Sequence, residues 1–371
     1  MAYKFKILAD HTNSRINNFD LLRLFTALLV IYEHSFALTG SPTEPFFPFS
    51  HGLLVFGSFA VPSFFTISGF LITRSYLEHN NLFVFFTARI LRIFPGLIAT
   101  VLFCALVIGL MVTTLPKLNY LTNPAVYSYI KDNIILMGSY ILPGVFTDNV
   151  YPTSVNGSLW TLSYEFYLYV CVATAGILGI LKRKYLASVL ALGSFILFAY
   201  LVHHFPTTNL IISKMNRPVI LQPLYCYVLG MVAYLCRSKI ILHPLIAILL
   251  FVIAALIPNS LIYRAIIFFT LVYCLLLFAY SPAIKGYLLT RYGDFSFGIY
   301  VYAFPVQQTL MHYFRFHHPM ALYFLTLPLA LVLGMGSWFL VEKPVLKLKN
   351  KIPLLLSKLR RERVLREGEA V

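Results

Sequence analysis

Ten apolar segments, each close to the length of one bilayer crossing, follow one another along this sequence and constrain its fold more than any other feature. A helix of about 20 residues crosses the hydrocarbon core of a bilayer, and in lipid a helix satisfies its own backbone hydrogen bonds. Because 59% of the residues are hydrophobic and 11% are charged, an ordinary soluble surface is excluded. The pattern predicts an all-α fold, a polytopic membrane bundle of about ten transmembrane helices. The predicted spans lie near 19–39, 52–75, 89–113, 157–181, 185–203, 218–236, 240–257, 261–280, 294–314 and 320–342.

The basic residues predict the orientation of this bundle. An even number of crossings places both termini on one side, and cytoplasmic loops carry an excess of Lys and Arg. With both termini cytoplasmic, most basic residues fall on inner loops, including the run at 182–184 and the residues that follow Lys343. Topology therefore accounts for the formal charge of +16, and nucleic-acid binding is not expected.

The chain divides into a transmembrane domain, residues 1–346, and a basic cytoplasmic tail, residues 347–371, predicted to lie on the inner leaflet. The first apolar run begins near Phe19 and is expected to stay as a helix, because no signal-peptide cleavage site follows it.

The long outer loop at 114–156 is predicted to be a lid or acceptor surface, with a merely structural interfacial segment as the equal alternative. The five cysteines lie in apolar stretches without paired spacing, so neither a disulfide nor a metal site is expected.

Ionisable side chains inside membrane spans are costly and are candidates for function by default. The first span carries Asp20, Arg23, Glu33 and His34. Arg23 and His34 share a helix face about 16 Å apart, which places Arg23 near the cytoplasmic end and His34 in the outer half. Asp20, one turn below Arg23, is predicted to hold the Arg23 side chain. Glu33 points about 100° away from His34, so a local interfacial or loop contact is expected for it instead.

Two further arginines open the third predicted span. Arg89 and Arg92 share one face at the inner membrane boundary, with Arg74 at the inner end of the second span. Guanidinium groups bind phosphate oxygens well, which predicts a site for a phosphorylated donor on the cytoplasmic side. Topology-setting charge against lipid headgroups is the alternative interpretation.

The fourth span carries one acid, Glu165, which is predicted to reach the same depth as His34. An imidazole next to a carboxylate suits general-base chemistry on a hydroxyl, because the carboxylate fixes the tautomer and stabilises the cation. A buried histidine with a purely structural role is the alternative for His34 taken alone.

At these same residues the chain resembles acyltransferase family 3 of membrane proteins. Each motif is weak by itself, but their order and spacing over the whole length are specific. The four motifs in the first half are NNFDLLRLFTALLVIYEHS, VPSFFTISGFLITRS, ARILRIFPGL and SLWTLSYEFYLY. The two in the second half are YGDFSFGIYVYAFPVQQ and FLVEKP. One departure is Ala303, which stands where many family members have a second histidine, so the second catalytic histidine of that motif is excluded.

The resemblance implies an acyl-CoA donor, most often acetyl-CoA, and a carbohydrate hydroxyl as the acceptor. It implies His34 as the catalytic histidine with Arg23 as its companion, and Arg89 and Arg92 as the donor-associated pair. Glu165 corresponds to the acidic residue of the fourth motif. The form it resembles has no soluble hydrolase-like domain after the bundle.

These observations lead to one functional hypothesis, one rival, and a third option, a structural or sensory membrane protein. The hypothesis is a membrane O-acyltransferase of the bacterial inner membrane that moves an acyl group from cytoplasmic acyl-CoA to an envelope or secreted carbohydrate. Asp20, Arg23, His34 and Glu165 are its predicted catalytic residues, with His34 as general base or acyl carrier. The rival is a proton-coupled carrier or flippase for a lipid-linked saccharide, with His34 and Glu165 as a proton relay. The absence of an internal repeat weakens that rival.

Overall fold

The computed structural model describes residues 6–348 except 13, 15, 42–43, 50–53, 80, 205–216 and 258–260. All but the first two residues of the predicted cytoplasmic tail lie outside this part. The described chain is almost entirely helical, as predicted, and each predicted span coincides with one long helix. These are α1 (Phe19–Leu38), α2 (Gly57–His79), α3 (Leu82–Leu102), α4 (Trp160–Ile177), α5 (Lys184–His204), α6 (Arg217–Leu235), α7 (Pro244–Leu256), α8 (Leu261–Ala279), α9 (Ser296–Phe314) and α10 (Pro319–Ser337).

Two of these helices continue through π-helical turns. α3 extends through Phe103–Ile108 and Gly109–Val112. α10 extends through Trp338–Glu342 and Lys343–Leu346. Four stretches in the described part are long and apolar enough to cross a membrane by length and composition, namely Phe19–Leu38, Leu82–Val112, Ile262–Ala279 and Pro319–Leu346.

Short elements complete the described chain. They are the helices Leu8–Thr12, Phe46–Phe49, Lys117–Leu121, Pro124–Ile134 and Tyr287–Thr290, and the single turns Gly157–Leu159 and Ile180–Lys182. The strands β1 (Lys6–Ile7) and β2 (Ile241–Leu242) pair antiparallel, Lys6 opposite Leu242. This pairing fixes the segment before α1 to the loop before α7.

α3 begins seven residues earlier than predicted. The side chain of Asn81 accepts a hydrogen bond from the backbone N–H of Val84 at 3.1 Å, and this cap starts the helix at Leu82. The prediction that Arg89 and Arg92 open this helix is therefore wrong. Both arginines lie about two to three turns inside it, where their side chains face other helices.

Glycines allow the closest helix contacts in the bundle. A Cβ atom at Gly69 of α2 would collide with the carbonyl oxygen of Tyr227 in α6, and one at Gly230 of α6 would collide with the carbonyl oxygen of Thr66. Small residues that let two backbones approach are typical of helix pairs in membranes. The tight α2–α6 pair forms one wall of the bundle.

The two ends of the bundle differ. At one end, here called the arginine end, Arg23 of α1 and Arg92 of α3 meet the start of α9 and the last turns of α10. Both the beginning of α1 and the end of α10 therefore lie at the same end, as an even number of crossings requires. The opposite end, here called the loop end, is covered by residues 114–156.

This long loop is packed into the bundle instead of standing above it. Tyr120 is fully buried, and its hydroxyl donates a 2.7 Å hydrogen bond to the carbonyl of Ala105 in the π-helical turn of α3. The last part of the loop reaches far inward, because the amide of Asn156 donates a 2.8 Å hydrogen bond to the carbonyl of Val301. Val301 lies only about a turn and a half from the start of α9 at the arginine end. α4, which follows the loop, consequently begins deep inside the bundle.

Candidate active site

Five charged side chains form a continuous network at the arginine end. Arg23 lies 3.3 Å from Asp20 and 3.4 Å from Asp294. Arg92 lies 2.5 Å from the same Asp294 and 3.5 Å from Glu342. The predicted contact between Asp20 and Arg23 is confirmed, but Asp20 shares that arginine with Asp294. Buried charges require partners of this kind, so the network ties α1, α3, α9 and α10 together.

Local structure explains how the two distant acids reach the network. Asp294 precedes α9, and one of its carboxylate oxygens accepts hydrogen bonds from the backbone N–H and the hydroxyl of Ser296. Glu342 lies in the π-helical turn that follows α10, is 1% exposed, and accepts a 2.9 Å hydrogen bond from Ser337. Such turns are frequent at functional sites. The sequence interpretation did not single out either acid.

Arg89 differs from Arg92 although the two arginines lie one turn apart. Its guanidinium donates a 2.8 Å hydrogen bond to Ser75 and lies over the rings of Phe85 and Tyr169. Its Nε atom is buried without a hydrogen-bond partner. Among the residues that the structure describes, no carboxylate lies within ion-pair distance of it. Arg89 is therefore the cation best placed to bind an anionic ligand.

A cavity of about 260 Å³ connects Arg89 with the middle of the bundle. Arg23, Arg89 and Arg92 line it at the arginine end, together with Leu346. Along α2 its wall runs from Ile72 through Ser68 and Phe64 to Val61, a distance of about 16 Å. Thr161 and Tyr300 line its other side.

Glu165 lies in this cavity, where it does not contact His34. One of its carboxylate oxygens accepts hydrogen bonds from Ser68 at 3.1 Å and from the hydroxyl of Tyr169 at 2.5 Å. The prediction that Glu165 reaches the depth of His34 is wrong. Gly57, which packs against Glu33, and Ser68 are separated by about 16 Å along α2. α4 begins too deep in the bundle for its acid to reach the loop end.

The carboxylate next to His34 belongs to Glu33. The Oε2 atom of Glu33 lies 3.6 Å from Nε2 of His34, and the imidazole packs edge-on against Phe304 with ring centroids 5.1 Å apart. The Nδ1 atom of His34 is buried without a hydrogen-bond partner. The expectation that Glu33 is not a partner of His34 was wrong, because a flexible glutamate side chain reaches round the helix although its Cα–Cβ bond points elsewhere.

Arg74 does not join the other arginines. Its Nε atom donates a 2.8 Å hydrogen bond to Glu78 one turn further along α2, and the residue is not part of the cavity wall. Of the three arginines predicted to bind a donor, the structure brings Arg89 and Arg92 into one cavity and leaves Arg74 outside it.

The comparisons with known proteins agree with the resemblance seen in the sequence. A family profile described as an acyltransferase domain matches residues 16–341. A relative from Shigella phage Sf6 named O-acetyl transferase is 28% identical, and the match covers 88% of this chain and 95% of that protein. Nodulation protein 10 of Rhizobium leguminosarum bv. viciae is 34% identical over 54% of each chain. No solved structure matches significantly. The chain therefore belongs to acyltransferase family 3 and is a membrane O-acyltransferase.

Proposed function

We propose that this O-acyltransferase moves an acyl group, most simply acetyl, from acyl-CoA to a hydroxyl of an envelope or secreted carbohydrate. It does so in the bacterial inner membrane, with all ten long helices crossing the bilayer and both termini in the cytoplasm. The arginine end then faces the cytoplasm and the loop end faces outward. The observation that carries the proposal is the cavity that begins at Arg89 and extends along α2 toward His34.

Arg89 is the residue that we propose binds the acyl-CoA donor. Arg23 and Arg92 already neutralise acids within 3.5 Å, whereas Arg89 has donors free to bind a phosphate oxygen. A cavity of about 260 Å³ is below the range of about 300–1,000 Å³ typical of sites for whole drug-sized ligands. It therefore suits the thioester arm of the donor, with the nucleotide part outside the bundle at the cytoplasmic end.

His34 is the residue that we propose meets the acceptor hydroxyl. The cavity reaches Val61, one turn of α2 from Gly57, and Gly57 packs against Glu33 next to the imidazole. We therefore place the thioester carbonyl at the outer end of the cavity, on the side of Val61 that faces Gly57. A hydroxyl that enters from the loop end meets the imidazole there.

In the proposed reaction the imidazole of His34 removes the proton of the acceptor hydroxyl while its oxygen attacks the thioester carbonyl carbon. The carbon–oxygen bond forms and the carbon–sulfur bond breaks. The imidazolium then returns the proton to the leaving thiolate, which gives the ester and free coenzyme A. In the alternative course, a nitrogen of His34 attacks the thioester carbonyl carbon and coenzyme A leaves as its thiolate. The acceptor hydroxyl then attacks the acyl-imidazole, the carbon–nitrogen bond breaks, and the hydroxyl proton passes to the thiolate.

Carbohydrate as the acceptor class follows from the resemblance to acyltransferase family 3. The name O-acetyl transferase of the phage relative supports an acetyl group and an oxygen acceptor. Polyhydroxylated envelope carbohydrates supply such hydroxyls at the loop end.

The test uses acetyl-CoA labelled in the acetyl group and membrane vesicles from a strain that lacks the protein, as the source of envelope carbohydrate. Purified protein is expected to move label into base-labile esters of the carbohydrate fraction. His34→Ala is expected to lower this rate by roughly 10²–10⁴-fold, whereas His317→Ala, at an exposed histidine, leaves it unchanged. Equal transfer by wild type and His34→Ala would overturn the assignment.

The same assay distinguishes the remaining alternatives. Protein loaded with labelled acetyl-CoA without acceptor, and separated rapidly from it at neutral pH, retains label that passes to added carbohydrate only in the acyl-carrier course. A carrier or flippase would leave the label on coenzyme A while lipid-linked saccharide changed sides of the membrane.

A further inference from the structure

We propose that Glu33 is the residue that positions His34, and that the Nδ1 atom of His34 is the one that takes the acceptor proton. The proposal rests on the proposed function, because it describes how the catalytic histidine is held. It assigns to Glu33 the role that the sequence pattern suggested for Glu165.

The geometry of the imidazole favours one tautomer. Nε2 of His34 lies 3.6 Å from a carboxylate oxygen of Glu33, beyond hydrogen-bond distance, so the carboxylate favours a proton on Nε2 through its charge. Nδ1 then carries the lone pair, and it is the buried nitrogen that has no hydrogen-bond partner in the described structure. The edge-on contact with Phe304 restricts rotation of the ring. An unprotonated nitrogen without a competing hydrogen-bond donor is what a general base requires.

The surroundings of Glu33 hold its side chain in place. Gly57, at the start of α2, packs so closely on Glu33 that a Cβ atom there would collide with the glutamate side chain. The residue before it, Phe56, donates its backbone N–H to a carboxylate oxygen of Glu44 at 2.7 Å, which fixes the turn that leads into α2. Tyr32 packs edge-on against the ring of Phe56 at 5.8 Å. One side of Glu33 thus packs against an ordered turn, and its side chain is 31% exposed.

Glu165 cannot take this role, because its carboxylate is engaged about 16 Å away along α2. It accepts hydrogen bonds from Ser68 and Tyr169 beside Arg89. A carboxylate at Glu33, in contrast, lies next to the imidazolium that forms when Nδ1 accepts the proton. The negative charge stabilises that cation until the proton passes to the departing thiolate.

Three variants in the full-length protein test the proposal with labelled acetyl-CoA and the same vesicles. Glu33→Gln keeps the size of the side chain but removes its charge, and it is expected to lower kcat about 100-fold or more. KM for acetyl-CoA stays within about twofold, because Arg89 lies at the other end of the cavity. Glu33→Asp, which keeps the negative charge, is expected to have a kcat at least about tenfold higher than that of Glu33→Gln. Glu78→Gln is the control, because it makes the same carboxylate-to-amide change in a half-exposed pair with Arg74, and it keeps the wild-type kcat.

Nitrogen-15 spectra of histidine-labelled protein provide a readout that a merely structural role would not change. The chain has 10 histidines, and the signals of His34 are assigned by their loss in His34→Ala. Wild-type protein is expected to show an unprotonated Nδ1 and a protonated Nε2, and Glu33→Gln is expected to shift this population toward the other tautomer.

The outcomes separate this proposal from the proposed function. If His34→Ala is inactive but Glu33→Gln transfers acetyl at the wild-type rate, Glu33 does not position the histidine and the proposed function stands. If Glu33→Gln is slow while the nitrogen signals of His34 are unchanged, the positioning role is likewise overturned. If His34→Ala transfers acetyl at the wild-type rate, the proposed catalytic role of His34 fails, and the role proposed for Glu33 fails with it.

Discussion

Arg92 donates a 2.5 Å hydrogen bond to the carboxylate of Asp294, a residue 202 positions further along the chain. The same guanidinium lies 3.5 Å from Glu342, and the same carboxylate lies 3.4 Å from Arg23. One buried acid thus links arginines of α1 and α3. The arginine pair suggested by the sequence therefore divides: Arg92 links α3 to α9 and α10, and Arg89 has no ion pair in the described structure.

Asp294→Asn is expected to destabilise the protein strongly, because it leaves two guanidinium groups near a neutral amide. Removal of one member of a buried ion pair typically costs about 3–5 kcal/mol. The measurement is the thermal unfolding midpoint in detergent micelles. Glu78→Gln is the matched control, since its partner Arg74 lies in a half-exposed pair worth about 1 kcal/mol or less. Equal midpoints for the two variants would show that the network contributes little to stability.

The Asp20–Arg23 contact could be predicted from the sequence, whereas the Arg92–Asp294 contact could not. The pairing of Asp20 with Arg23 is predictable because residues three apart on a helix are neighbours. The pairing of Arg92 with Asp294 and Glu342 depends on how α3, α9 and α10 pack, which periodicity does not determine. Both acids stand in recognised motifs, YGDFSFGIY and FLVEKP. The need to neutralise arginines at the same bundle end is the signal that points to them.

Arg89→Ala is expected to raise KM for acetyl-CoA roughly 10- to 100-fold with little change in the unfolding midpoint. Hydrogen bonds to charged groups are worth about 1.5–3 kcal/mol, and Arg89 has no ion pair in the described structure whose loss would destabilise the fold. Initial rates at varied acetyl-CoA concentration supply the measurement. Arg74→Ala serves as control, because that arginine lies outside the cavity wall, and a comparable increase in its KM would contradict the assignment of the donor site to Arg89.

Gly69→Ala is expected to lower the unfolding midpoint and the acetyl-transfer rate together. A Cβ atom there would meet the backbone carbonyl of Tyr227, and forcing extra atoms into such a contact typically costs about 1–3 kcal/mol. The shift of α2 also displaces Ser68, which donates a hydrogen bond to Glu165. Differential scanning calorimetry and the transfer assay supply the measurements.

Gly193→Ala in α5 provides the comparison, because a Cβ atom there has no heavy atom within 4 Å in the described structure. Alanine favours a helix over glycine by up to about 1 kcal/mol, so Gly193→Ala should leave the protein as stable or slightly more stable. A destabilisation of both variants by the same amount would show that close packing of α2 on α6 is not the cause.

Hydropathy predicted the ten helices because length and apolar content suffice for that purpose. The depth of each side chain within the bundle could not be predicted from hydropathy alone. Glu165 was misplaced because the loop before α4 enters the bundle as far as Val301, and a count of residues from the membrane surface assumes that helices begin there. Glu33 was misjudged because a helical wheel describes Cβ directions and not the reach of a long side chain.

Gln308→Leu is expected to loosen the long loop without changing the helices. The amide of Gln308 is fully buried and donates 2.8 Å hydrogen bonds to the carbonyls of Tyr151 and Ser154, and leucine of similar size would leave both carbonyls unpaired. Each unpaired buried group costs about 1–3 kcal/mol. This cost raises the equilibrium population of the locally open loop by roughly 10-fold or more. Hydrogen–deuterium exchange of residues 145–156 measures this opening. Tyr313→Phe, which removes an exposed hydroxyl 3.4 Å from its acceptor, should leave the exchange unchanged, and slow exchange in both variants would show that packing alone holds the loop.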